Sequence, residues 1–503
     1  MHSTERAEHL DVVVVGAGLS GIGAAGTLLR RTPDRSLAVI ESRDAVGGTW
    51  DLFRYPGVRS DSDMYTLGYA KRPWGGEKSI ADGDDIREYV QRTARETGVD
   101  RRIRLRQRVV AASWRSDRAL WELTVLHRDP AALGEWRDGE AGTTSTITCS
   151  FLFACTGYYR YDQGFSPEIP GLDRFAGRVV HPQHWPADLE AAGKRFVVIG
   201  SGATAVTLVP ALAKRGAHAT MLQRSPTYVA AVPSRDRLAL RLRGRLPQPI
   251  AYRVVRAKHI LGSIALYQYA RRRPEAMKAL LKRSAAEKLP ASFDVDTHFS
   301  PRYDPWDQRL CAVPGGDLFR AISAGDADVV TDRIDHVDAD GIVLASGGRL
   351  DADVVVTATG LNVLMLGGMR VDVDGAAVDT GSTLAYKGMM LAGVPNLAYT
   401  IGYTNSSWTL RADLVANSVA DLLVRMRRRG QAVVVPQAPA GETPTAPVID
   451  LAAGYIRRGL HLMPRQGRRS PWTVHQNYLL DLLLFRVDPR RRDLRFQPAP
   501  ARA

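Results

Sequence analysis

Residues 11–41, DVVVVGAGLSGIGAAGTLLRRTPDRSLAVIE, decide the fold class of this chain. The four consecutive valines indicate a strand buried on both faces, and the glycines that follow indicate a tight turn into a helix. Pro33 ends the helical pattern, and a second apolar run ends at Glu41. Strand, glycine turn, helix and strand form one βαβ unit, so the sequence predicts a parallel, Rossmann-like sheet.

A second stretch, residues 194–225, has the same organisation. It reads KRFVVIGSGATAVTLVPALAKRGAHATMLQRS, again with a strand, a glycine turn, a helix and a second strand. Because the two units lie far apart along the chain, we expect two separate dinucleotide-binding domains. The predicted fold class is therefore α/β, with two Rossmann-like domains and a helical insertion in the second.

Composition and cysteine content exclude several classes of protein. Of the 503 residues, 45% are apolar and 24% are charged, which is typical of a globular protein. The three cysteines, Cys149, Cys155 and Cys311, form no CxxC pair. This excludes a disulfide framework, thiol–disulfide exchange and a cysteine-ligated zinc site. We expect no metal site, and we expect a cytoplasmic location because the N-terminal residues show no signal peptide.

The glycine turn of the first unit has the spacing of a nucleotide-binding site. Gly16-x-Gly18-x-x-Gly21 follows a strand and opens a helix, and the acidic residue Glu41 lies twenty positions beyond the motif. Glycines let a diphosphate approach the backbone N–H groups at the helix N-terminus, and the carboxylate accepts hydrogen bonds from the adenosine ribose. A glycine turn with a purely structural role is the alternative.

The second unit carries a variant of this motif. Gly200-x-Gly202-x-x-Ala205 opens its helix, but Arg224 and Ser225 replace the acidic residue at the end of the second strand. A guanidinium and a hydroxyl suit a 2′-phosphate, which a carboxylate would repel. The alternative is an ordinary surface arginine. Two nucleotides on one chain indicate a flavoprotein, with FAD in the first domain and NADPH in the second.

The predicted domains are interleaved along the chain. The FAD-binding domain comprises 1–160 and 375–503, and the second part includes a C-terminal tail. The NADP-binding domain comprises 161–230 and 310–374, and the helical insertion between its two parts comprises 231–309.

The insertion carries most of the positive charge. The chain has a net charge of +15, and residues 235–288 hold fifteen Lys and Arg against three acidic residues. Nothing in the sequence resembles a nucleic-acid-binding motif, so we expect no nucleic-acid partner. We interpret the basic insertion as a solvated charged face, and weak peripheral contact with the inner membrane surface is the alternative.

Two longer motifs resemble those of a known enzyme family. They are Gly47-Gly48-x-Trp50-(x)4-Tyr55-Pro56-Gly57-x-x-x-Asp61 and Phe175-x-Gly177-x-x-x-His181-x-x-x-Trp185-Pro186. Both are similar at every fixed position to the fingerprints of Baeyer–Villiger monooxygenases, which are class B flavin monooxygenases. The stretches GGTWDLFRYPGVRSDSDMYTLGY, HPQHWP and YKGMM resemble most the actinobacterial ethionamide-activating monooxygenases, and this resemblance extends over residues 8–495.

The resemblance implies an oxygen-inserting reaction. Reduced FAD and the co-substrate O2 would form a C4a-peroxyflavin, which inserts one oxygen into a ketone to give an ester or lactone, or oxygenates sulfur. The anionic species in such a reaction need a fixed positive charge near the flavin. The resemblance places that charge at Arg309, with Asp61 paired to it and orienting it, and these two are the predicted catalytic residues.

Some alternatives stay open at this point. A flavin monooxygenase that performs mainly S- or N-oxygenation is the alternative function. The sequence does not identify the natural small-molecule substrate, the regiochemistry or the oligomeric state. Trp408 and Tyr386 are candidates for lining the substrate cavity, with core packing as an equal alternative. His181 is expected to be a linker side chain that hydrogen-bonds between the domains, not a catalytic group.

The same resemblance implies which residues contact the cofactors. Lys usually precedes the catalytic Arg in ketone-oxidising relatives and touches the 2′-phosphate, but this chain has Gln308 there. Preference for NADPH over NADH would then depend mainly on Arg224 and Ser225. The predicted FAD-binding residues are Gly16, Gly18, Ser20, Gly21, Glu41, Gly48, Thr49, Trp50, Asp51, Leu52, Asp61 and, through its backbone, Val109. The predicted NADP-binding residues are Arg59, Ser60, Asp61, Gly200, Ser201, Gly202, Ala203, Thr204, Ala205, Val206, Arg224 and Ser225.

Overall fold

Two sheets, the first mixed and the second parallel, form the body of the molecule, and helices pack against both. The computed structural model describes residues 7–129, 132, 136, 139–140, 142–449, 451–487 and 493–501. Both predicted βαβ units are present, and the fold class is α/β as the sequence predicts. The outer ends of the predicted first domain, 1–6 and 502–503, lie outside the described residues.

The N-terminal segment builds most of the first sheet. Its elements are β1 (Glu8–Val15), α1 (Leu19–Arg31), β2 (Leu37–Ile40), α2 (Thr49–Leu52), α3 (Met64–Leu67), α4 (Gly83–Thr97), β3 (Ile103–Arg104), β4 (Gln107–Arg115), β5 (Leu120–His127) and β6 (Thr143–Ala154). β1 runs parallel to β2 and β6, with Val12 opposite Leu37 and Val13 opposite Leu152. β4, β5 and the first half of β6 pair in antiparallel fashion.

The middle segment builds the second sheet and the insertion. Its elements are β7 (Arg178–Val180), β8 (Arg195–Ile199), α5 (Ala203–Ala213), β9 (His218–Gln223), β10 (Val229–Val232), α6 (Arg237–Leu242), α7 (Gln248–Arg272), α8 (Pro274–Ala286), α9 (Val295–Phe299), β11 (Cys311–Pro314), α10 (Asp317–Ser323), β12 (Ala327–Thr331), β13 (Ile334–Val337), β14 (Gly341–Leu344), β15 (Arg349–Asp351) and β16 (Val354–Thr357). The parallel second sheet has the order β12-β9-β8-β16-β7, and β13, β14 and β15 form a separate antiparallel sheet.

The insertion is helical, as the sequence predicts, and it packs back on the first domain. β10 precedes the insertion and β11 follows it, and the two strands run side by side with Val229 opposite Cys311. The chain therefore leaves the second domain and returns to it at one place. On the inner face of α7, the Arg256 side chain donates to the carbonyl oxygens of Tyr65 at 2.6 Å and Gly68 at 2.7 Å. These contacts attach the longest helix of the insertion to α3.

The C-terminal segment returns to the first sheet. Its elements are β17 (Arg370–Val373), β18 (Ala376–Ala377), β19 (Ala385–Tyr386), β20 (Met390–Leu391), β21 (Leu397–Tyr399), α11 (Trp408–Arg428), β22 (Gln431–Pro436), α12 (Gly454–Gly459), α13 (Tyr478–Val487) and β23 (Leu494–Pro498). β21 adds to the end of β6 in parallel, with Leu397 opposite Leu152. Single turns of 3-10 helix lie at Asp100–Arg102, Leu172–Arg174, Pro182–His184, Met365–Gly368 and Leu460–Leu462.

One strand differs from the predicted domain bounds. β17 pairs in parallel with β4, with Arg370 opposite Ala111, so residues 370–373 lie in the first sheet, although the sequence predicted 310–374 as part of the second domain. The reason is that the chain crosses between domains directly after β16, and a strand as short as β17 has no local signal for the sheet that it joins.

Candidate active site

A cavity of about 690 Å³ lies between the two sheets, where their central strands end. Gly16 follows β1, Thr156 follows β6, Gly200 follows β8 and Ala358 follows β16, and all four line this cavity. Ligands of open parallel sheets bind at the carboxyl ends of the strands. The two glycine turns therefore face one common space.

Two of the three glycines in the first turn leave no room for a side chain. Gly16 has a φ of +104°, and a Cβ on it would lie 2.7 Å from the Cys155 carbonyl oxygen. A Cβ on Gly21 would lie 1.8 Å from the Gly16 carbonyl oxygen, so Gly21 permits the close approach of α1 to β1. Gly18 faces the cavity, and a Cβ on it would lie 3.4 Å from the Cα of Gly48. The arrangement fits a diphosphate at the N-terminus of α1.

Glu41 lies at the end of β2 and lines the same cavity. Its side chain is 5% exposed, and its carboxylate accepts hydrogen bonds from the Ala17 N–H at 2.6 Å and the Arg43 N–H at 2.8 Å. The Ser42 hydroxyl also donates to this carboxylate, at 3.2 Å. A carboxylate has about four acceptor sites, so these three donors leave capacity for a ribose hydroxyl. This geometry fits the adenosine end of FAD.

The second glycine turn opens the N-terminus of α5 to the cavity. Gly200 has a φ of +134°, and a Cβ on it would lie 2.4 Å from the Ala358 carbonyl oxygen. A Cβ on Gly202 would meet no atom within 4 Å, so open space lies in front of the helix. Arg224 is exposed and lines this end of the cavity, together with Thr227. Thr227 hydrogen-bonds to the Ser201 hydroxyl at 2.7 Å.

Arg309 and Asp61 meet in the middle of the cavity. Arg309 lies in the loop between α9 and β11, and Asp61 lies in the loop before α3. Nη1 of Arg309 donates to Oδ2 of Asp61 at 2.9 Å, and Nη2 donates to the Tyr158 hydroxyl at 3.4 Å. Nε of Arg309 is buried and makes no hydrogen bond with the described residues. The guanidinium is thus held by one carboxylate and one phenol hydroxyl.

Aromatic side chains connect Arg309 to the first glycine turn. The Tyr158 ring stacks on Trp408, with ring centroids 5.2 Å apart and an interplanar angle of 11°. Nε1 of Trp408 donates to the Ser20 hydroxyl at 2.7 Å. The Tyr158 and Tyr159 hydroxyls are 2.8 Å apart, and burial raises the pKa of both phenols well above the ordinary value. Both therefore keep their protons and stay neutral beside the cation.

Trp408 lines the cavity, but Tyr386 does not belong to its wall. Tyr386 is 2% exposed and packs edge-to-face on Trp472, with ring centroids 5.6 Å apart. Of the two alternatives, cavity lining and core packing, the first therefore holds for Trp408 and the second for Tyr386.

The second fingerprint lies outside the cavity. His181 accepts a hydrogen bond at Nδ1 from the Gln183 N–H at 3.2 Å, and its Nε2 lies 3.3 Å from the Gly360 carbonyl oxygen. Burial lowers the pKa of His181, which favours the neutral ring. Gly360 itself lines the cavity, so His181 supports one edge of the site from behind. A Cβ on Gly177 would lie 2.5 Å from the Asp353 carbonyl oxygen, so this glycine permits close packing against β16.

Several predicted cofactor residues are engaged by other parts of the chain. Asp51 is 6% exposed and pairs with Arg43 at 2.7 Å and with Arg54. The Arg59 guanidinium pairs with Asp317 at the start of α10, although its Nε is buried without a hydrogen-bond partner among the described residues. The Arg59 side chain therefore connects the first domain to the second at the cavity wall.

The structure brings most of the predicted site residues to one cavity. Those that line it are Gly16, Gly18, Ser20, Glu41, Gly48, Thr49, Trp50, Arg59, Ser60, Asp61, Val109, Gly200, Ser201, Gly202, Ala203, Thr204, Arg224 and Arg309, and Gln308 also lines it. Those outside its wall are Gly21, Asp51, Leu52, Ala205, Val206, Ser225 and the motif residues Phe175, Gly177, His181, Trp185 and Pro186.

Sequence reasoning missed the tyrosines of the cavity. Tyr158, Tyr159 and Tyr455 line it, and none of them belongs to a motif used above. One signal was available for the first two, because Cys155-Thr156-Gly157 repeats the pattern of Ala358-Thr359-Gly360 at the end of a central strand. Residues that follow such strands lie at the ligand-binding edge of the sheet. For Tyr455 we see no comparable signal.

The three cysteines are buried thiols. Cys149, Cys155 and Cys311 are buried and unpaired with one another. Burial raises the pKa of the Cys155 and Cys311 thiols to about 12, so both stay protonated at neutral pH. Within the part of the chain that the structure describes, no group of His, Cys, Asp and Glu side chains is arranged to hold a metal ion.

Relatives of known type cover nearly the whole chain. The family described as pyridine nucleotide-disulphide oxidoreductase matches residues 10–243, which hold both glycine turns. The FAD-containing monooxygenase EthA from Mycobacterium tuberculosis is 50% identical over 498 residues, 98% of this chain and 99% of that protein. The probable FAD-binding monooxygenase AlmA from Acinetobacter baylyi is 43% identical over 476 residues, 94% of this chain and 93% of that protein.

Solved structures share the fold. An oxidized steroid monooxygenase bound to NADP has a TM-score of 0.75 at 20% identity, and the match covers 98% of this chain and 100% of that one. An open structure of cyclohexanone monooxygenase has a TM-score of 0.73 at 18% identity, with the same coverage of 98% and 100%. The fold and the full-length relatives confirm the resemblance seen in the motifs, and the chain belongs to the family of FAD-containing monooxygenases.

Proposed function

We propose that this monooxygenase uses FAD, NADPH and O2 to insert one oxygen atom into ketones, giving esters or lactones, and to oxygenate sulfur compounds. The observation that carries the proposal is the position of Arg309. Its guanidinium is held 2.9 Å from Asp61, inside a cavity that both glycine turns line. A fixed cation between two nucleotide sites is suited to a reaction in which negative charge develops next to a flavin.

The first domain would hold FAD. Its diphosphate would bind at Gly16 and Gly18, at the N-terminus of α1, and Glu41 would accept hydrogen bonds from the ribose hydroxyls. Gly48, Thr49 and Trp50 line the cavity next to this turn and would contact the flavin half of the cofactor. In domain terms, FAD would bind to 1–160 together with the C-terminal part of the chain.

The second domain would hold NADPH. Its diphosphate would bind in the open space at Gly202, in front of α5, and Arg224 would contact the 2′-phosphate. Thr227 adds a hydroxyl at the same end of the cavity. Ser225 is exposed next to Arg224 but lies outside the cavity wall, so selection of the phosphate would depend mainly on the arginine.

The chain's own residues would then direct the chemistry. Bound FAD, reduced by NADPH, supplies the activated oxygen of the reaction. Arg309 keeps its positive charge at any working pH, since a guanidinium does not lose its proton, and it would stabilise the negative charge that develops at the reacting atoms. Asp61 fixes the orientation of the guanidinium, and the neutral Tyr158 supports it from the other side. The aromatic wall of Tyr158, Tyr159 and Trp408 would accept an apolar substrate.

One experiment tests the proposal directly. Purified enzyme is supplied with NADPH and O2 and with linear, cyclic and aromatic ketones or with thioethers, and the products are identified while NADPH consumption is followed. Ester or lactone formed in proportion to NADPH supports the proposal. Sulfoxide or N-oxide without any ester supports the alternative, a monooxygenase of sulfur or nitrogen, and contradicts the ketone activity.

A further inference from the structure

The outer face of α7 is apolar, which is the reverse of an ordinary surface helix. Ile250, Val254, Ala257, Leu261 and Ala265 follow one another at intervals of three and four residues, so they form one stripe. All five are exposed, with Leu261 at 56%, Ile250 at 48% and Val254 at 45%. We call these five residues the α7 stripe.

The inner face of α7 is already occupied. Tyr252 and Arg256 are 4% and 7% exposed, and both bond to backbone carbonyl oxygens of the first domain, Tyr252 to that of Tyr69 and Arg256 to that of Tyr65. These polar anchors set the rotation of the helix about its axis. The α7 stripe therefore faces solvent because of how the helix is attached, and not because the helix is loosely packed.

α13 repeats the arrangement beside α7. Leu479, Leu480 and Leu483 are 39%, 49% and 57% exposed. Between them Asp481 is 1% exposed and pairs with Arg411, and it accepts a hydrogen bond from the Tyr403 hydroxyl at 2.7 Å. The buried ion pair again fixes which face points outward.

The two helices are neighbours. Tyr478, the first residue of α13, packs with Ile264 of α7 against a cluster that contains Ile260 and Tyr403. Exposed apolar residues on two neighbouring helices are typical of an interaction site in a protein that is otherwise globular. The charges around it indicate the partner.

The segment that carries the α7 stripe is rich in positive charge. Residues 235–288 hold fifteen Lys and Arg against three acidic residues. The exposed arginines on α6, on the connection to α7 and on α7 itself are Arg237, Arg241, Arg243, Arg245, Arg253, Arg271 and Arg272. Two of them have acidic partners outside residues 235–288, Arg243 with Glu77 and Arg271 with Asp307. A second copy of the chain would bring two such basic segments together, which like charges oppose, whereas an anionic lipid surface complements both the charge and the leucines.

We propose that α7 and α13 form a docking surface for an anionic bilayer, with the exposed leucines entering the interface and the arginines facing the lipid headgroups. No helix among the described residues is long and apolar enough to span a bilayer. The contact would therefore be peripheral and reversible by salt. No described residue of α7 or α13 lines the cavity proposed to bind the cofactors, so docking and the proposed catalysis can be tested separately.

The test is vesicle co-sedimentation of the full-length holoprotein. Vesicles of phosphatidylcholine with about one third phosphatidylglycerol are compared with pure phosphatidylcholine vesicles, at low and at high salt. We expect binding to the anionic vesicles, and we expect this binding to weaken at high salt. The double variant Leu261→Gln, Leu483→Gln should bind the anionic vesicles at least about ten-fold more weakly than the parent protein. Both side chains are more than half exposed, so the variant should keep its flavin and its melting temperature.

A matched control separates this surface from exposed leucines in general. Leu105 in the first domain is 38% exposed, and Leu105→Gln should leave vesicle binding unchanged. Failure of the parent protein to bind anionic vesicles, or equal binding by the double variant, overturns the proposal. So does a stable dimer in light scattering that Leu261→Gln, Leu483→Gln converts to monomer while vesicles bind neither form.

Discussion

Replacing Arg309 by Ala should remove catalysis and leave the fold intact. The side chains of Arg309 and Asp61 are 32% and 36% exposed, so their ion pair contributes at most about 1 kcal/mol to the stability of the fold. Both glycine turns are built from other residues, and flavin retention should survive the change. What is lost is the cation in the middle of the cavity.

The expected rate effect follows from the geometry of that cation. Removing one preorganised charge-stabilising group typically lowers the rate by about 10²–10³, which corresponds to about 2.7–4 kcal/mol, and Arg309 carries a full charge. Arg309→Lys keeps the charge, but its ammonium lacks the planar fork that reaches both Asp61 at 2.9 Å and Tyr158 at 3.4 Å. We therefore expect Arg309→Lys to recover part of the activity.

The assay is ester formed per NADPH consumed, with hydrogen peroxide measured in the same samples. Arg309→Ala should remain yellow and folded, form little or no ester, and release hydrogen peroxide for most of the NADPH that it still oxidises. Arg302→Ala, an exposed arginine in the same loop, is the matched control and should behave like the parent enzyme. If Arg309→Ala makes ester at a rate and yield near those of the parent, the assignment of Arg309 is wrong.

Three further changes test the rest of the site and its support. Gly18→Leu fills the space at the first glycine turn, so the purified variant should lack FAD, and absorbance at the flavin band measures this. Arg224→Ala should raise the KM for NADPH about ten- to hundred-fold, since a charge-assisted contact is worth about 1.5–3 kcal/mol. The KM for NADH should change little. Equal effects on the two KM values would show that Arg224 does not contact the 2′-phosphate. His259 of α7 lies 2.9 Å from Asp236, which also pairs with Lys258, and 3.4 Å from Asp63, and its ring stacks on Tyr65. Burial alone would lower the pKa of His259, but the two carboxylates raise it above the ordinary value. The protonated ring then stabilises the fold fully below about pH 6.5, the ordinary pKa, and this stabilisation is lost as the pH rises through the raised pKa. Urea unfolding should accordingly show a stability gap between parent and His259→Asn that narrows from pH 5.5 to 8.5, and a gap independent of pH would contradict the role of the carboxylates.

Local sequence determined the two nucleotide-binding units. Each unit consists of an apolar run, a glycine turn and an apolar helix within about thirty residues. The interactions that form a βαβ unit are therefore short-range, and the sequence pattern predicts the unit. Glu41 and Arg224 are placed by the same pattern, because each ends the second strand of its unit. The helical insertion and its charge can also be predicted from the sequence, since periodicity and composition are local properties.

The tertiary structure alone decided what lies between those units. Arg309 meets Tyr158 and Tyr158 stacks on Trp408 although the chain separates them widely, and only the packing of two sheets and a returning C-terminal segment brings them together. β17 likewise joins the first sheet because one edge of β4 is available for pairing. A strand of four residues contains no sequence signal that predicts which strand it pairs with. The direction of the α7 stripe is the clearest case. Periodicity shows that a helix has an apolar face, but the face that is buried depends on where its polar side chains find partners, and here Arg256 finds them in the first domain.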